Sequence, residues 1–380
     1  MRPITSIAAT RPLSKSAVRA VVAVTALALA GASLCLGASE ATAAPVEGAA
    51  CATKSSTQTL AAVAEGINAT SCQAVGDYVE IDSSGGFYIP KAGEGTAVTA
   101  TMADGSAVAI EVFTSTAGDV SLSVSGPSDS AVVKKAGAAR DAARKKGQRW
   151  QGGSERPINV NSGAQKSSAS TGQSVAAAVT RCSSSTYSTL KGKWHHNPYL
   201  IVNTSEGLPS GVKGSAFLQI ARDSMNTWVN VTDACSVADS MTRTATIYEN
   251  NYSNSNINGA NNACASSSDG FHVVDFGNLT GGTVGLACSR YVWVLGWRTN
   301  EVDVRLDNSS RSWVTSTSGC TGSKYDVRSV LTHELGHFWG LADQYASSTS
   351  QLTMYGYSST CSTTQRTLGK GDALGINALY

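Results

Sequence analysis

The run His333-Glu334-Leu335-Gly336-His337-Phe338-Trp339-Gly340-Leu341-Ala342-Asp343 gathers two of only 5 histidines in a chain of 380 residues. On a helix His333 and His337 stand one turn apart on one face, so two imidazoles can reach the same metal ion. Glu334 is rotated about 100° from His333, out of a shared ligand position but within reach of an attacking water. Gly340 can take the left-handed conformation that ends a helix and reverses the chain, and Asp343 then offers a carboxylate to the same point. Three protein ligands and one open position suit a catalytic zinc, whereas a structural zinc is closed by four ligands, usually with cysteine among them. The cysteines here serve better as disulfides.

These residues need a helix, a partner layer and a sheet. Val327, Val330, Leu331, Leu335 and Phe338 follow a 3.6-residue period, with Asp326 placed to cap the start and Gly340 to stop the end. Phe217, Ile220, Ala221, Ser224 and Trp228 share one face of a second helix, which backs the sheet. Strands are expected at 199–202, 244–248, 272–275, 291–294 and 301–307. In the last of these Val302, Val304 and Leu306 alternate with charges, the pattern of a strand with one wet side. Upstream, 78–81, 95–101, 107–113 and 120–124 alternate apolar and polar residues, predicting a small β unit with no cluster of chemical groups. From Lys134 to Arg181, basic residues among Ala, Gly and Ser lack apolar periodicity and read as a solvated linker open to processing.

Composition narrows the function classes. With 29 basic and 27 acidic residues and a net charge of +2, there is no excess of positive charge to hold nucleic acid. Hydrophobic residues make up 42%, too many for a disordered polyelectrolyte, and 37 glycines argue against a helical bundle. Residues 1–43 read as an export signal: Arg2, Arg11, Lys15 and Arg19 precede an apolar stretch, and Ala41-Thr42-Ala43 offers a cleavage site. An uncleaved signal anchor is the alternative for this segment, and no later one is apolar enough to span a bilayer. Of nine cysteines, Cys35 falls in the signal, and the remaining eight suit disulfides in an exported protein. Two precede residue 100 and six follow residue 180, so each part can close its own bridges, with 15 pairings open to the six.

The segment from His333 to Asp343 resembles the metzincin zinc-protease signature, and Asp as the third ligand resembles the secreted bacterial snapalysin group. A wider likeness to the matrixin catalytic domain covers most of 194–380. Met225-Asn-Thr-Trp-Val-Asn-Val-Thr232 resembles the end of its first helix, Glu301-Val-Asp-Val-Arg-Leu-Asp307 its edge-of-cleft strand region, and Gly371-Asp-Ala-Leu-Gly-Ile-Asn-Ala-Leu-Tyr380 its terminal helix. The resemblance implies Zn²⁺ on His333, His337 and Asp343, Glu334 as catalytic base, and a methionine turn at Met354 beneath the metal. Tyr355 and Tyr357 flank the position at which some metzincins add a tyrosine. Asp343 in place of a third histidine leaves the metal less electropositive. Arg181-Cys182 is followed by Ser183-Ser184, unlike the cysteine that blocks zinc in matrixin propeptides. No His cluster precedes the signature to hold a second zinc, and a calcium ion would be sought at Asp303 or Asp307.

The expected fold class is α+β: a metzincin-like catalytic domain with a mixed, mostly antiparallel twisted sheet, a backing helix and an active-site helix, preceded by a small β-rich prodomain. The expected division is a signal peptide at 1–43, a β-rich propeptide at 44–135, a basic flexible linker at 136–181 and the protease domain at 182–380. The implied function is a secreted, zinc-dependent endopeptidase made as a zymogen. It would act on protein or peptide substrates, with no nucleic-acid partner and no membrane partner after signal cleavage, and with its own propeptide as folding aid or inhibitor. The competing classes are a secreted binding or adhesion protein with a catalytically silent metzincin fold, and a hydrolase of non-peptide amides. His195, His196 and His272 are given no role.

Overall fold

Among the described residues, nine elements lie upstream of residue 180 in the computed structural model: β1 (Thr57–Gln58), α1 (Leu60–Glu65), β2 (Tyr78–Asp82), β3 (Gly85–Tyr88), β4 (Glu94–Met102), β5 (Ala107–Thr114), β6 (Val120–Pro127), α2 (Ala131–Lys145) and β7 (Ile158–Gly163). The structure describes residues 57–82, 85–102, 107–127, 130–145, 158–163, 180–250, 253–316, 318 and 320–380. The expected export signal at 1–43 lies outside them, as does much of the expected linker. The alternating segments at 78–81, 95–101, 107–113 and 120–124 all fall within strands. Their inward residues Val79, Ile81, Val112, Leu122 and Val124 join Leu60, Val63 and Phe87 in a core of their own.

Helix α2 crosses the expected boundary at 135 and takes residues 136–145 out of the linker. Val132, Val133, Ala136 and Ala143 are buried in the upstream core, a helical stripe so rich in alanine that the interspersed lysines and arginines masked it.

The downstream elements are β8 (Ser188–Thr189), β9 (Tyr199–Asn203), α3 (Gly214–Val229), β10 (Thr246–Asn250), β11 (Ile257–Asn258), β12 (Ala263–Cys264), β13 (Val273–Gly277), β14 (Thr283–Trp293), β15 (Trp297–Asp307), β16 (Ser312–Val314), β17 (Lys324–Asp326), α4 (Val327–Phe338), β18 (Leu341–Ala342) and α5 (Lys370–Leu379). One mixed sheet runs through both parts in the order β10-β9-β13-β15-β14-β4-β5-β6-β7. β9, β10, β13 and β15 are parallel, while β14 is antiparallel to β15 on one side and to β4 on the other. Each part thus has its own core, yet one sheet joins them.

Helices α3 and α4 lie together on the downstream sheet. Phe217, Ile220, Ala221 and Trp228 of α3 pack with Val330, Leu331, Leu335 and Phe338 of α4 and with Val274, Val302, Val304 and Leu306 of the strands. Trp228 Nε1 donates to the Thr332 carbonyl at 2.7 Å, and the hydroxyls of Thr332 and Ser224 are hydrogen-bonded at 2.9 Å. A buried indole N–H and hydroxyl are thereby satisfied while fixing the two helices.

The strands depart from the sequence pattern in three ways. The charged side of β15 is not wet: Glu301, Asp303 and Asp307 are buried. Arg290 pairs with Glu301 at 3.0 Å, Arg305 pairs with Asp275 at 2.7 Å, and Val273 N donates to Asp303 at 3.0 Å. Burial of such charges requires this pairing. Nor is β15 the edge strand of the cleft, since it lies between β13 and β14. Finally, the strand expected at 291–294 is only the end of β14, whose first nine residues are buried without alternation.

Cys182 pairs with Cys235, Cys264 with Cys288 and Cys320 with Cys361; Cys72 is also disulfide-bonded. Among the described residues, no helix is long and apolar enough to cross a membrane.

Candidate metal centre

Asp326 starts the site helix: its side chain accepts the Ser329 N–H at 2.8 Å and is gripped by Arg366 Nε at 2.7 Å. An anionic cap here satisfies an otherwise orphaned N–H and faces the positive end of the helix dipole. The helix ends as its sequence implies. Gly340 has φ 92°, which reverses the chain, and β18 then pairs antiparallel with β8. That return carries Asp343 back over the last turn of α4.

His333, His337 and Asp343 come together, fully buried, with one ligand atom from each lying within 4.8 Å of the others. His333 Nε2 is 3.1 Å from Asp343 Oδ1, and His337 Nε2 is 3.6 Å from the same oxygen. Both imidazoles are oriented from behind. His333 Nδ1 donates to the Thr353 carbonyl at 2.8 Å and His337 Nδ1 to the Leu341 carbonyl at 2.9 Å. A carbonyl can only accept, so each Nδ1 carries a proton, and Nε2 of both rings faces the common point.

The donor set fits a divalent cation. His333 Nε2, Asp343 Oδ1 and Glu334 Oε2 are buried without a hydrogen-bond partner, and such groups are costly unless something pairs with them. Two imidazoles and one carboxylate are ligands of the zinc type. Among the described residues this is the one His/Cys/Asp/Glu group that could hold a metal ion. Asp303 and Asp307, considered for calcium, accept backbone N–H groups of Val273 and Leu279, and Asp307 also accepts the Ser309 and Ser310 hydroxyls.

Electrostatics set the members apart. Burial works against protonation of His333, but the Asp343 carboxylate overrides it and lifts this imidazole to about 9. Burial pushes His337 down to about 4. Asp343 is held below the ordinary carboxylate range, because His337 and His333 outweigh the upward push of burial. Glu334, driven by burial, rises to about 7.

Met354 lies beneath α4 at Gly336, where an added Cβ would clash with the Met354 Sδ. Asp372 of α5 holds this turn, accepting the Thr353 and Met354 N–H groups at 2.6 and 3.0 Å. Gln365 lies behind His333, 3.2 Å from its Nδ1, and donates to the Tyr355 carbonyl at 3.0 Å. Tyr345 donates to Asp343 Oδ2 at 3.3 Å; the rings of Tyr355 and Tyr357 lie 5.0 Å apart, and Tyr357 is 6.3 Å from Tyr345. His195 and His196 are exposed, and His272 is buried against Trp194 and Tyr199.

Asp372, Gln365 and Tyr345 escaped the sequence reading because each acts on a group distant in the chain or through a single hydrogen bond. The Gly371-Asp372 step at a helix start was the available signal for the first. Thr101 escaped as well: its hydroxyl, from the upstream unit, donates to Glu334 Oε1 at 3.0 Å. No curated protein matches the chain. Residues 281–380, which carry β14, β15, α4 and the three convergent side chains, match the matrixin family model, so this part of the chain is similar to a matrixin-like metzincin.

Proposed function

We propose that the chain is a secreted, zinc-dependent endopeptidase made as a zymogen, with residues 182–380 as its catalytic part and the upstream β unit as its propeptide. The matrixin match supports a zinc metallopeptidase acting on protein or peptide substrates. The observation that carries the finer reading is the convergence of His333 Nε2, His337 Nε2 and Asp343 Oδ1, with the unpaired Oε2 of Glu334 buried beside them. A structural site has no use for such a carboxylate. Disulfides suit an oxidising, extracellular setting.

In this reading His333, His337 and Asp343 are the zinc ligands, and the ion supplies a Lewis acid that polarises the scissile carbonyl and acidifies the attacking water. Glu334 removes a proton from that water and passes it to the leaving amine. The Thr353 and Leu341 carbonyls keep both imidazoles aimed, and Tyr345 steadies the carboxylate of Asp343.

Hydrolysis of a mixed fluorogenic peptide library by the processed protein, beside its Glu334→Ala variant at matched zinc content, tests the assignment. Wild type should cut and the variant should lose roughly 10²- to 10⁴-fold in rate while keeping zinc. Near wild-type turnover by Glu334→Ala removes Glu334 from the mechanism. Zinc bound without hydrolysis by either protein favours the binding or adhesion reading.

A further inference from the structure

β14 would be the free edge of the downstream sheet if that sheet ended with its own strands. Instead β4 lies along it, antiparallel, from Thr283 opposite Met102 to Val292 opposite Glu94. An exposed strand edge is a template for an extended peptide, with main-chain hydrogen bonds supplying affinity and alternate side chains supplying specificity. This edge leads to the candidate centre. Glu334 Oε1 is so close to β14 that a Cβ on Gly285 would lie 2.6 Å from it, and Gly285 is the register partner of Thr101.

The contact is built on both faces of β4. Val98 is buried with Ile257, Leu279, Leu286 and the Cys264–Cys288 bridge, and Ala97 with Phe113, Leu190 and Tyr291. Thr99 Oγ1 donates to the Ala287 carbonyl at 3.3 Å. β5 adds a second tie, because Glu111 accepts the Lys191 N–H at 3.2 Å. The cysteines among the described residues are all in disulfides, so none of them offers a thiol to block a metal.

We propose that Glu94–Met102 is the chain's own occupant of the substrate-binding edge, lying on β14 as an extended peptide would and capping Glu334 with the Thr101 hydroxyl, so that the uncut protein is silent. This rests on the peptidase reading above. Loss of activity in the uncut chain then comes from strand addition rather than from a cysteine on the metal, and activation requires β4 to leave β14.

The test uses the full chain with a site for a sequence-specific protease inserted between residues 163 and 180. Peptide hydrolysis is followed beside amide hydrogen exchange in β14, before cleavage and after cleavage with dilution. Hydrolysis should rise at least a hundredfold, and β14 amides protected in the uncut chain should exchange at least tenfold faster. Equal hydrolysis before and after, or unchanged exchange in β14, overturns the proposal. If no form hydrolyses peptide although zinc is bound, the peptidase reading fails, and the exchange data still decide whether β4 covers β14. Val98→Asp, which sets a charge in the cluster at the Cys264–Cys288 bridge, should raise hydrolysis by the uncut chain at least tenfold. Should that variant fail to fold, a peptide of the 94–102 sequence added to the cut, diluted enzyme must raise KM without changing kcat. A peptide that leaves KM unchanged contradicts the proposal.

Discussion

The two flanks of β14 are both antiparallel and both buried, but they are held by different means. On one side β15 returns through a hairpin and is fixed by apolar packing and by the buried Arg290–Glu301 pair, which face each other in register. On the other side β4 arrives from far upstream, Thr99 and Ala287 being 188 positions apart, and it contributes small side chains and threonine hydroxyls. A hairpin partner stays whatever happens to the chain elsewhere. A partner joined only through a long connection becomes a separable piece once that connection is cut, because its effective concentration then falls to the bulk value. One strand thus has a permanent neighbour and a removable one, and the removable one lies at the candidate catalytic base.

The permanent side should be the costlier to break. Arg290→Met leaves Glu301 buried without its cation, although Ser268 and Gly270 still donate to its other oxygen, and should lower unfolding stability by about 3–5 kcal/mol in denaturant titration. Adding Glu301→Leu should recover most of that loss. A cost below about 1 kcal/mol for Arg290→Met would mean that the pair does not hold this flank.

Acid should loosen the same downstream core. His272, buried against Trp194 and Tyr199 with His196 and Asp269 nearby, is pushed down to about 4 by burial. Its folded value lies below the unfolded one of about 6.5. The unfolded chain therefore binds more protons between these values, and stability is full above pH 6.5 and falls as pH drops towards 4. The loss is on the order of 3 kcal/mol. His272→Phe should flatten the melting temperature across this window, and an unchanged slope would reassign the acid sensitivity.

The smallest effect belongs to the removable side. Thr99→Val keeps the shape of β4 but deletes the bond to the Ala287 carbonyl, and should cost about 1 kcal/mol or less. Its signature is faster hydrogen exchange in β14 of the uncut chain with no change after β4 has left. Faster exchange in both states would place the effect in the downstream core instead.

The same contrast explains what was legible in the sequence. Helix α4 was readable because its information is local: His333 and His337 four apart, Asp326 as cap, Gly340 as stop and Asp343 three residues beyond. The upstream strands were readable from their alternation. β14 was mostly missed because Thr283 to Tyr291 are buried on both faces, and a strand covered on both sides loses the period-2 signal. The charges of β15 suggested a wet face because their partners, Arg290, Asp275 and the Val273 N–H, are fixed by sheet order rather than by neighbours in the chain. Helix α2 was hidden by basic residues set among alanines. The Thr101–Glu334 contact belongs to two units that the sequence presents as separate, and no local pattern announces it.

The proposed catalysis depends on where the metal binds. Anomalous diffraction at the zinc edge, from crystals of the full chain grown with zinc, measures this directly. One peak at the common point of His333 Nε2, His337 Nε2 and Asp343 Oδ1, retained in Glu334→Ala and lost in His337→Ala, is the expected result. Zinc bound elsewhere, or no peak between these three atoms, would contradict the assignment of the site.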